Sequence, residues 1–290
     1  MKKYFIATRP WSFPVSSMSV LVTASGLFFL GYPVNWYLTL WAVIGIILFH
    51  AASNVLSDYY DFRKGVDQAD TFGSRTLTDH ILTPQQVFRL GWILTAVACL
   101  NGLAMAYVSG AQLLIYGAIG LVLSLIYPWL KYHALGDLDI FLEYGIIPAL
   151  GTSFFVTGTL QVDALWFVLA YVTITMGVLH ANNTRDIQPD RRAKIATLPM
   201  LIGKKGSIIL YGIMVYLPVV WISLCCVWGK MPWWCMLSWL TIAMITPLFL
   251  QMRRFLTDDQ AINDLDEKTA KLQLIHCLLL VITLIVGTVI

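Results

Sequence analysis

The chain is poor in charge. Only 12% of its 290 residues are Asp, Glu, Lys or Arg, whereas 58% are hydrophobic and the mean hydropathy is +0.74. Soluble domains carry about 25% charged residues, so a water-soluble globular protein is excluded. Cysteine and histidine are also scarce. Cys99, Cys225, Cys226, Cys235 and Cys277 lie in or beside apolar runs and form no Cys-x-x-Cys pair, which leaves packing as their role. The five histidines lack metal-ligand spacing. His50 and His180 stand near acidic motifs and read as packed or hydrogen-bonded helix residues. The few basic residues are accounted for by membrane topology and phosphate binding, so no nucleic-acid role is suggested.

What is abundant is long apolar runs. They recur from near Phe13 to Ile290, and most can cross a hydrocarbon core of about 30 Å as a helix. Nine spans are expected, at 13–32, 38–57, 91–109, 112–130, 139–159, 164–184, 207–227, 233–252 and 272–290. The third and fourth are joined only by Ser109 to Ala111, where Gly110 suits a sharp reversal. Lipid offers no partner for an unpaired backbone group, so the fold class is all-α: one polytopic bundle over residues 1–290 with no separate soluble domain. Lys2 and Lys3 ahead of an apolar run invite comparison with a signal peptide. That stretch is of spanning length, starts after Arg9-Pro10-Trp11 and lacks a small-residue cleavage site, so a retained first helix is expected.

Nine spans place 18 of the 19 Lys and Arg residues on one side and only Lys230 on the other. Positive charge marks the cytoplasmic side. The N-terminus is therefore expected inside and the C-terminus outside, with the long loops after spans two, six and eight in the cytoplasm. The cell inner (plasma) membrane is the expected location, crossed several times. The polar stretch from Thr257 to Lys271 reads as a solvated connector.

Acidic residues carry the chemical signal. After the second span come Asp58, Asp61, Asp67 and Asp70. Asn54, Asp58 and Asp61 stand at i, i+4 and i+7, so one helical face presents an amide and two carboxylates. Gly65 can break that helix and let Asp67 fold back. An ordinary solvated acidic loop would explain one such cluster, but a second ends the sixth span: Asn182, Asn183, Arg185, Asp186 and Asp190. Pro189 is expected to kink or end this helix, leaving Asp190 in a following turn. Both clusters end even-numbered spans and so share one face. Juxtamembrane acids at this density repel one another unless a hard cation neutralises them. Magnesium fits, since it is commonly held by a few carboxylates together with substrate phosphates. The interspersed Arg63, Lys64, Arg75, Lys131, Arg185, Arg191 and Arg192 suit a diphosphate better than a cation-transport site.

These residues resemble the UbiA superfamily of membrane prenyltransferases over nearly the whole chain. The runs Asp58 to Asp67, Leu135 to Phe141 and Asn182 to Asp190, with Thr197-Leu198-Pro199 and Gly203, look most like the 1,4-dihydroxy-2-naphthoate prenyltransferases of menaquinone synthesis. Two departures are Ser57, where that branch usually has Asn, and Glu143 within span five. Asn54 can supply the amide in place of Ser57, and Glu143 suits either a buried polar contact or a proton acceptor. The resemblance implies Mg2+ held by Asp58, Asp61 and Asp67 on one side and Asp186 and Asp190 on the other. It also implies a polyprenyl diphosphate donor and an aromatic acceptor, both taken at the lipid bilayer.

Lys131, Arg75 and Arg185, then Lys64 and Arg191, are expected to receive charge on the departing diphosphate. Asn54, Ser57, Asn182 and Asn183 are further candidates for substrate binding. Among Tyr59, Tyr60 and Tyr127, the preferred candidate to face an allylic cation is Tyr127. The tail is expected to lie among the helices, because each methylene costs about 0.8 kcal/mol to expose to water. Transfer to 4-hydroxybenzoate, homogentisate or haem B, and cation-coupled transport, are the alternatives.

Overall fold

A computed structural model describes residues 1–68 and 75–290, so Asp70 lies outside the described residues. Eight helices are long and apolar enough to cross a membrane: α1 (Pro10–Phe29), α2 (Trp36–Lys64), α3 (Pro84–Ser109), α4 (Leu113–Tyr132), α5 (Gly136–Thr157), α7 (Leu198–Val227), α8 (Trp233–Arg254) and α9 (Asp259–Val289). A bent helix pair, α6 (Val162–Val168 and Val172–Arg185, 47° at the break), makes a ninth crossing if the pair is counted as one span. The all-α expectation is met among the described residues, with eight spans and a ninth if the bent pair crosses as one.

Local chemistry sets the boundaries. Asn35 caps α2 by accepting hydrogen bonds from the Tyr37 and Leu38 N–H groups at 3.0 and 3.2 Å. Gly65, with φ 78°, ends it in the left-handed region that glycine enters without penalty. Thr83 and Gln86 form a capping box at the start of α3, whose first residue is Pro84. Gly110 at φ 114° makes the expected sharp reversal into α4.

Several helices outrun the spans read from hydropathy. The 29 residues of α2 measure about 44 Å, more than a hydrocarbon core requires, so Asp58 and Asp61 ride on a helical extension. Helix α7 starts at Leu198 rather than residue 207, with a kink at Gly203. The stretch from Thr257 to Lys271 is not a simple connector: regular α-helix begins at Leu265, and the half-buried Asp266 lines an internal pocket.

Among the described residues four apolar clusters hold the bundle together, one of which, with Val20, Ala42, Ala106, Leu113 and Phe155, joins α1 to α2, α3, α4 and α5. Leu27, Phe167, Tyr171, Ile222 and Leu280 join α1, α6, α7 and α9. Ile174, Tyr211, Val215, Ile245 and Leu272 extend that core into α8. Four of the cysteines are buried and none is disulfide-bonded, as packing residues should be. Large apolar side chains such as Leu100, Leu103, Ile115 and Ile213 are more than half exposed, as on a surface that meets lipid. Where apolar solvent weakens the hydrophobic drive between helices, close approach over small residues matters more. Gly26 on α1 is such a place, because a Cβ there would lie 2.4 Å from the buried Phe167 ring. Gly26→Val is expected to destabilise the fold by about 1–3 kcal/mol, read as a lowered thermal midpoint in detergent. Gly102→Ala, at a helical site with nothing within 4 Å, is expected to leave that midpoint unchanged or raise it.

Candidate active site

The two acidic motifs meet in one polar pocket of about 210 Å³ at the C-terminal ends of α2 and α6. Asn54, Ser57 and Asp61 enter from α2, and Asp67 from the turn after it. The turn is made by backbone reversal at Gly65, after which the Val66 N–H donates to the Asp61 carbonyl at 2.9 Å. Asn182 and Asn183 enter from α6, which stops at Arg185. Asp186 follows, and a short helix, Ile187–Arg192, carries Asp190 on the far side of the break. The break thus falls before Pro189, one turn earlier than the proline alone indicates.

Each acid has a distinct setting. Asp61 accepts from Lys131 Nζ at 3.0 Å and from the Tyr132 hydroxyl at 2.6 Å, so the end of α4 is fastened to the first motif. Asp190 is buried beside Thr197, whose hydroxyl is 3.4 Å away. The Ala196 N–H donates to the Tyr132 carbonyl at 3.0 Å, which binds the loop after the second motif to the same end of α4. Lys131 therefore stands between the two motifs.

Charge crowding shows in the groups outside the spans. Burial pushes the Asp67 carboxyl up to about 7, with Asp61 and Asp58 adding to the shift and Arg9 and Lys131 opposing it. Burial likewise pushes Asp190 up to about 7; Lys131 opposes, while Asp186 and Asp61 reinforce. Burial works against the Arg9 charge, but Asp58, Asp67 and Asp61 outweigh it and hold the guanidinium above its ordinary range. Among the described residues no three acids, histidines or cysteines converge into a closed metal cage. The donor set is hard oxygen, open on the pocket side, and includes the buried, unpartnered Asn183 Oδ1 and Asp266 Oδ1. Such a set fits a cation that completes its shell with water and phosphate oxygens.

Several expected residues take other places. Asp58 is buried and does not line the pocket, because Arg9 forms an ion pair over it. Arg185 is turned away from the cavity and braces the acids: it grips Asp186 at 2.8 and 3.0 Å and Asp266 at 2.7 Å. Arg75 pairs with Asp79 at 2.7 Å on an exposed surface, Lys64 lies 5.4 Å from the Tyr132 ring centroid, and Arg191 is exposed. None of the three lines the pocket. Tyr59 packs on Tyr60 and Phe88 instead of the site, so only Tyr127 of the three tyrosines faces it. Asn54 spends its amide N–H groups on the Thr8 carbonyl and Ser12 hydroxyl, both at 3.1 Å, and Ser57 faces the pocket without replacing it. Both residues are thus present, in different roles. His180 sits 3.5 Å from Asp137 outside the cavity, whereas His50 lines it.

Two residues escaped the sequence reading. Arg9, counted only for topology, lines the pocket, and its left-handed backbone at φ 54° precedes Pro10. A non-glycine residue there costs roughly 1–2 kcal/mol and points to a constrained function. Asp266 lies far away in sequence, and its only signal was an acid one turn before an apolar run.

A second, apolar cavity of about 400 Å³ lies between α2, α3, α4 and α5. It meets the polar pocket at His50, Glu143 and Tyr144, which line both.

A polytopic helical protein with an acid-lined polar pocket adjoining an apolar cavity has the layout for an amphipathic substrate with a charged head. The UbiA prenyltransferase family profile matches residues 19–287, and the chain belongs to that family. UbiA prenyltransferase domain-containing protein 1 of Homo sapiens is 35% identical over 94% of this chain and 80% of its own length. The Xenopus tropicalis protein of the same name is 34% identical over 94% and 78%. In fold the chain is similar to an apo UbiA homologue from Aeropyrum pernix K1, with TM-score 0.72 and 17% identity over 93% of this chain and 97% of the other. It is similar also to a UbiA homologue from Archaeoglobus fulgidus bound to GPP and Mg2+, with TM-score 0.66 and 12% identity over 96% and 99%.

The bracing of Asp186 and Asp266 by Arg185 yields a stability prediction. Arg185→Met leaves two largely buried carboxylates uncompensated and is expected to cost up to about 3–5 kcal/mol. Adding Asp266→Asn should restore part of that loss, as read by thermal unfolding of the double variant in detergent.

Proposed function

We propose that the protein transfers a polyprenyl group from polyprenyl diphosphate to 1,4-dihydroxy-2-naphthoate with loss of carbon dioxide, in magnesium-dependent menaquinone synthesis. The observation that carries this reading is the junction of the acid-lined pocket with the apolar cavity, which together match a diphosphate head and an isoprenoid tail. The likeness of the runs Asp58–Asp67, Leu135–Phe141 and Asn182–Asp190 to the naphthoate branch supports the acceptor. The curated relatives carry a different name, so the acceptor rests on those motifs. The site is taken to face the cytoplasm, with the N-terminus inside, because 18 of 19 basic residues fall on that side.

Asp61, Asp67, Asp186 and Asp190 are the residues that would hold Mg2+, with Asp58 behind them. When bound, the metal neutralises diphosphate oxygens and stabilises the leaving group. Lys131 and Arg9 supply fixed positive charge at the pocket, where charge builds on the departing diphosphate. Arg185 keeps Asp186 aimed at the pocket. Tyr127 presents its ring beside Lys131, where a π face stabilises positive charge on the allylic carbon. The apolar cavity takes the tail and keeps water from the reacting carbon.

Transfer in liposomes with labelled long-chain prenyl diphosphate tests this directly. Metal-dependent product is expected from the naphthoate and none from 4-hydroxybenzoate, with a fall of at least about 100-fold in Asp61→Ala and Asp186→Ala. Product from the benzoate alone overturns the acceptor, and full activity in both variants overturns the metal site.

The raised carboxyls add a pH prediction. Protons compete with the cation at Asp67 and Asp190, so apparent Mg2+ affinity is expected to fall as pH drops through about 7 and to level off above it. Magnesium titration of activity at pH 6, 7 and 8 is the check, and a flat series excludes both carboxylates as ligands.

A further inference from the structure

The boundary between the two cavities is where chemistry must occur if the proposed function holds. With the tail in the apolar cavity and the diphosphate in the polar pocket, the allylic carbon joining them has to cross it. The three residues lining both sides are His50, Glu143 and Tyr144. His50 is committed: Nδ1 lies 2.9 Å from the Ser16 hydroxyl and Nε2 3.3 Å from the Ser12 hydroxyl.

Glu143 is differently placed. It lies in a π-helical turn, Leu142–Ile146, inside α5. Pro148 cannot donate to the carbonyl of Tyr144, which loosens the α-helical ladder at this point. The Tyr171 hydroxyl donates to the Gly145 carbonyl at 3.3 Å, so the widened turn is held from α6. Wide turns of this kind cluster at functional sites. The Glu143 carboxyl interacts through hydrogen bonding with Asp139 one turn back and with Ser124 on α4, and Tyr127 and Tyr144 are close enough to feel its charge. No Lys, Arg or His among the described residues pairs with it. By contrast, Asp61 is held by Lys131 and Tyr132, and Asp186 and Asp266 by Arg185. Glu143, at the boundary of the two cavities, is instead paired with a second carboxyl, Asp139, and two neighbouring carboxyls of this kind can take up and return a proton.

We propose that Glu143 is a catalytic residue that takes the hydroxyl proton of the aromatic acceptor and later returns it. This rests on the naphthoate reading. As the bond from allylic carbon to diphosphate oxygen breaks, a new carbon–carbon bond forms to the ring carbon bearing the carboxylate. The neighbouring ring hydroxyl gives its proton to Glu143 and becomes a carbonyl. The intermediate is a β-keto carboxylate. Its carbon–carboxylate bond breaks, carbon dioxide leaves, and the electron pair returns to the carbonyl oxygen, which recovers the proton from Glu143. Diphosphate carries away the charge, the ring is again a hydroquinone, and the enzyme is unchanged.

Glu143→Gln tests the step, since it keeps shape and removes basicity. The expected result is a fall in kcat of about 100- to 1,000-fold with naphthoate while KM for the prenyl diphosphate stays within a few-fold of the parent. Glu143→Asp should recover part of the rate. The Glu143→Gln defect should also shrink as anaerobic assays approach about pH 10, where a phenolic hydroxyl ionises without help. Transfer by Glu143→Gln within threefold of the parent overturns the proposal, as does a defect equal at every pH and not relieved by Asp. A parent protein inactive with naphthoate but active with benzoate overturns the functional reading, and this inference with it; a normal parent beside an active Glu143→Gln variant overturns the inference alone.

Discussion

The site depends on one constraint: several carboxylates are held together at the edge of a low-dielectric bundle, where they repel one another. Three cationic side chains make this tolerable in the absence of substrate. Arg9 covers Asp58, Lys131 meets Asp61, and Arg185 spans Asp186 and Asp266. These ties also position the helices, since they join the N-terminal segment to α2, α4 to α2, and α9 to α6. The electrostatic requirement and the tertiary arrangement are therefore parts of one solution.

That solution leaves a division of labour among the basic residues. Lys131 and Arg9 face the cavity and are available to an anionic head group, while Arg185 is fully engaged in holding acids. The apolar cavity then explains the membrane setting. A long isoprenoid tail finds there the environment it would otherwise have in lipid, and only the charged head needs the polar pocket. Glu143 lines both spaces and so places a carboxyl at their junction.

The sequence reading was strongest where the physics is local. Helices have to satisfy their own backbone groups in lipid, so apolar length was enough for the spans, and Gly65 and Gly110 marked real ends. The i, i+4, i+7 spacing of Asn54, Asp58 and Asp61 correctly placed these residues on one helix. It was weaker for basic side chains. Arg75, Lys64 and Arg191 look equivalent to Lys131 in a one-dimensional charge count, yet a long flexible side chain goes wherever its nearest acid is. For Arg75 that acid is Asp79 on the surface.

The amino-acid order by itself determined an all-helical membrane bundle, two acid-bearing helix ends on one face, and membership of a prenyltransferase family, because each of these follows from hydropathy, periodicity or motif. Only the tertiary structure decided that Arg9 and Asp266, separated by most of the chain, belong to one pocket, that Asp58 is buried beneath the first of them, and that Glu143 stands at the boundary between a polar and an apolar space. These facts depend on which helices pack side by side. Packing is a property of the whole set of side chains, with no local signature to read.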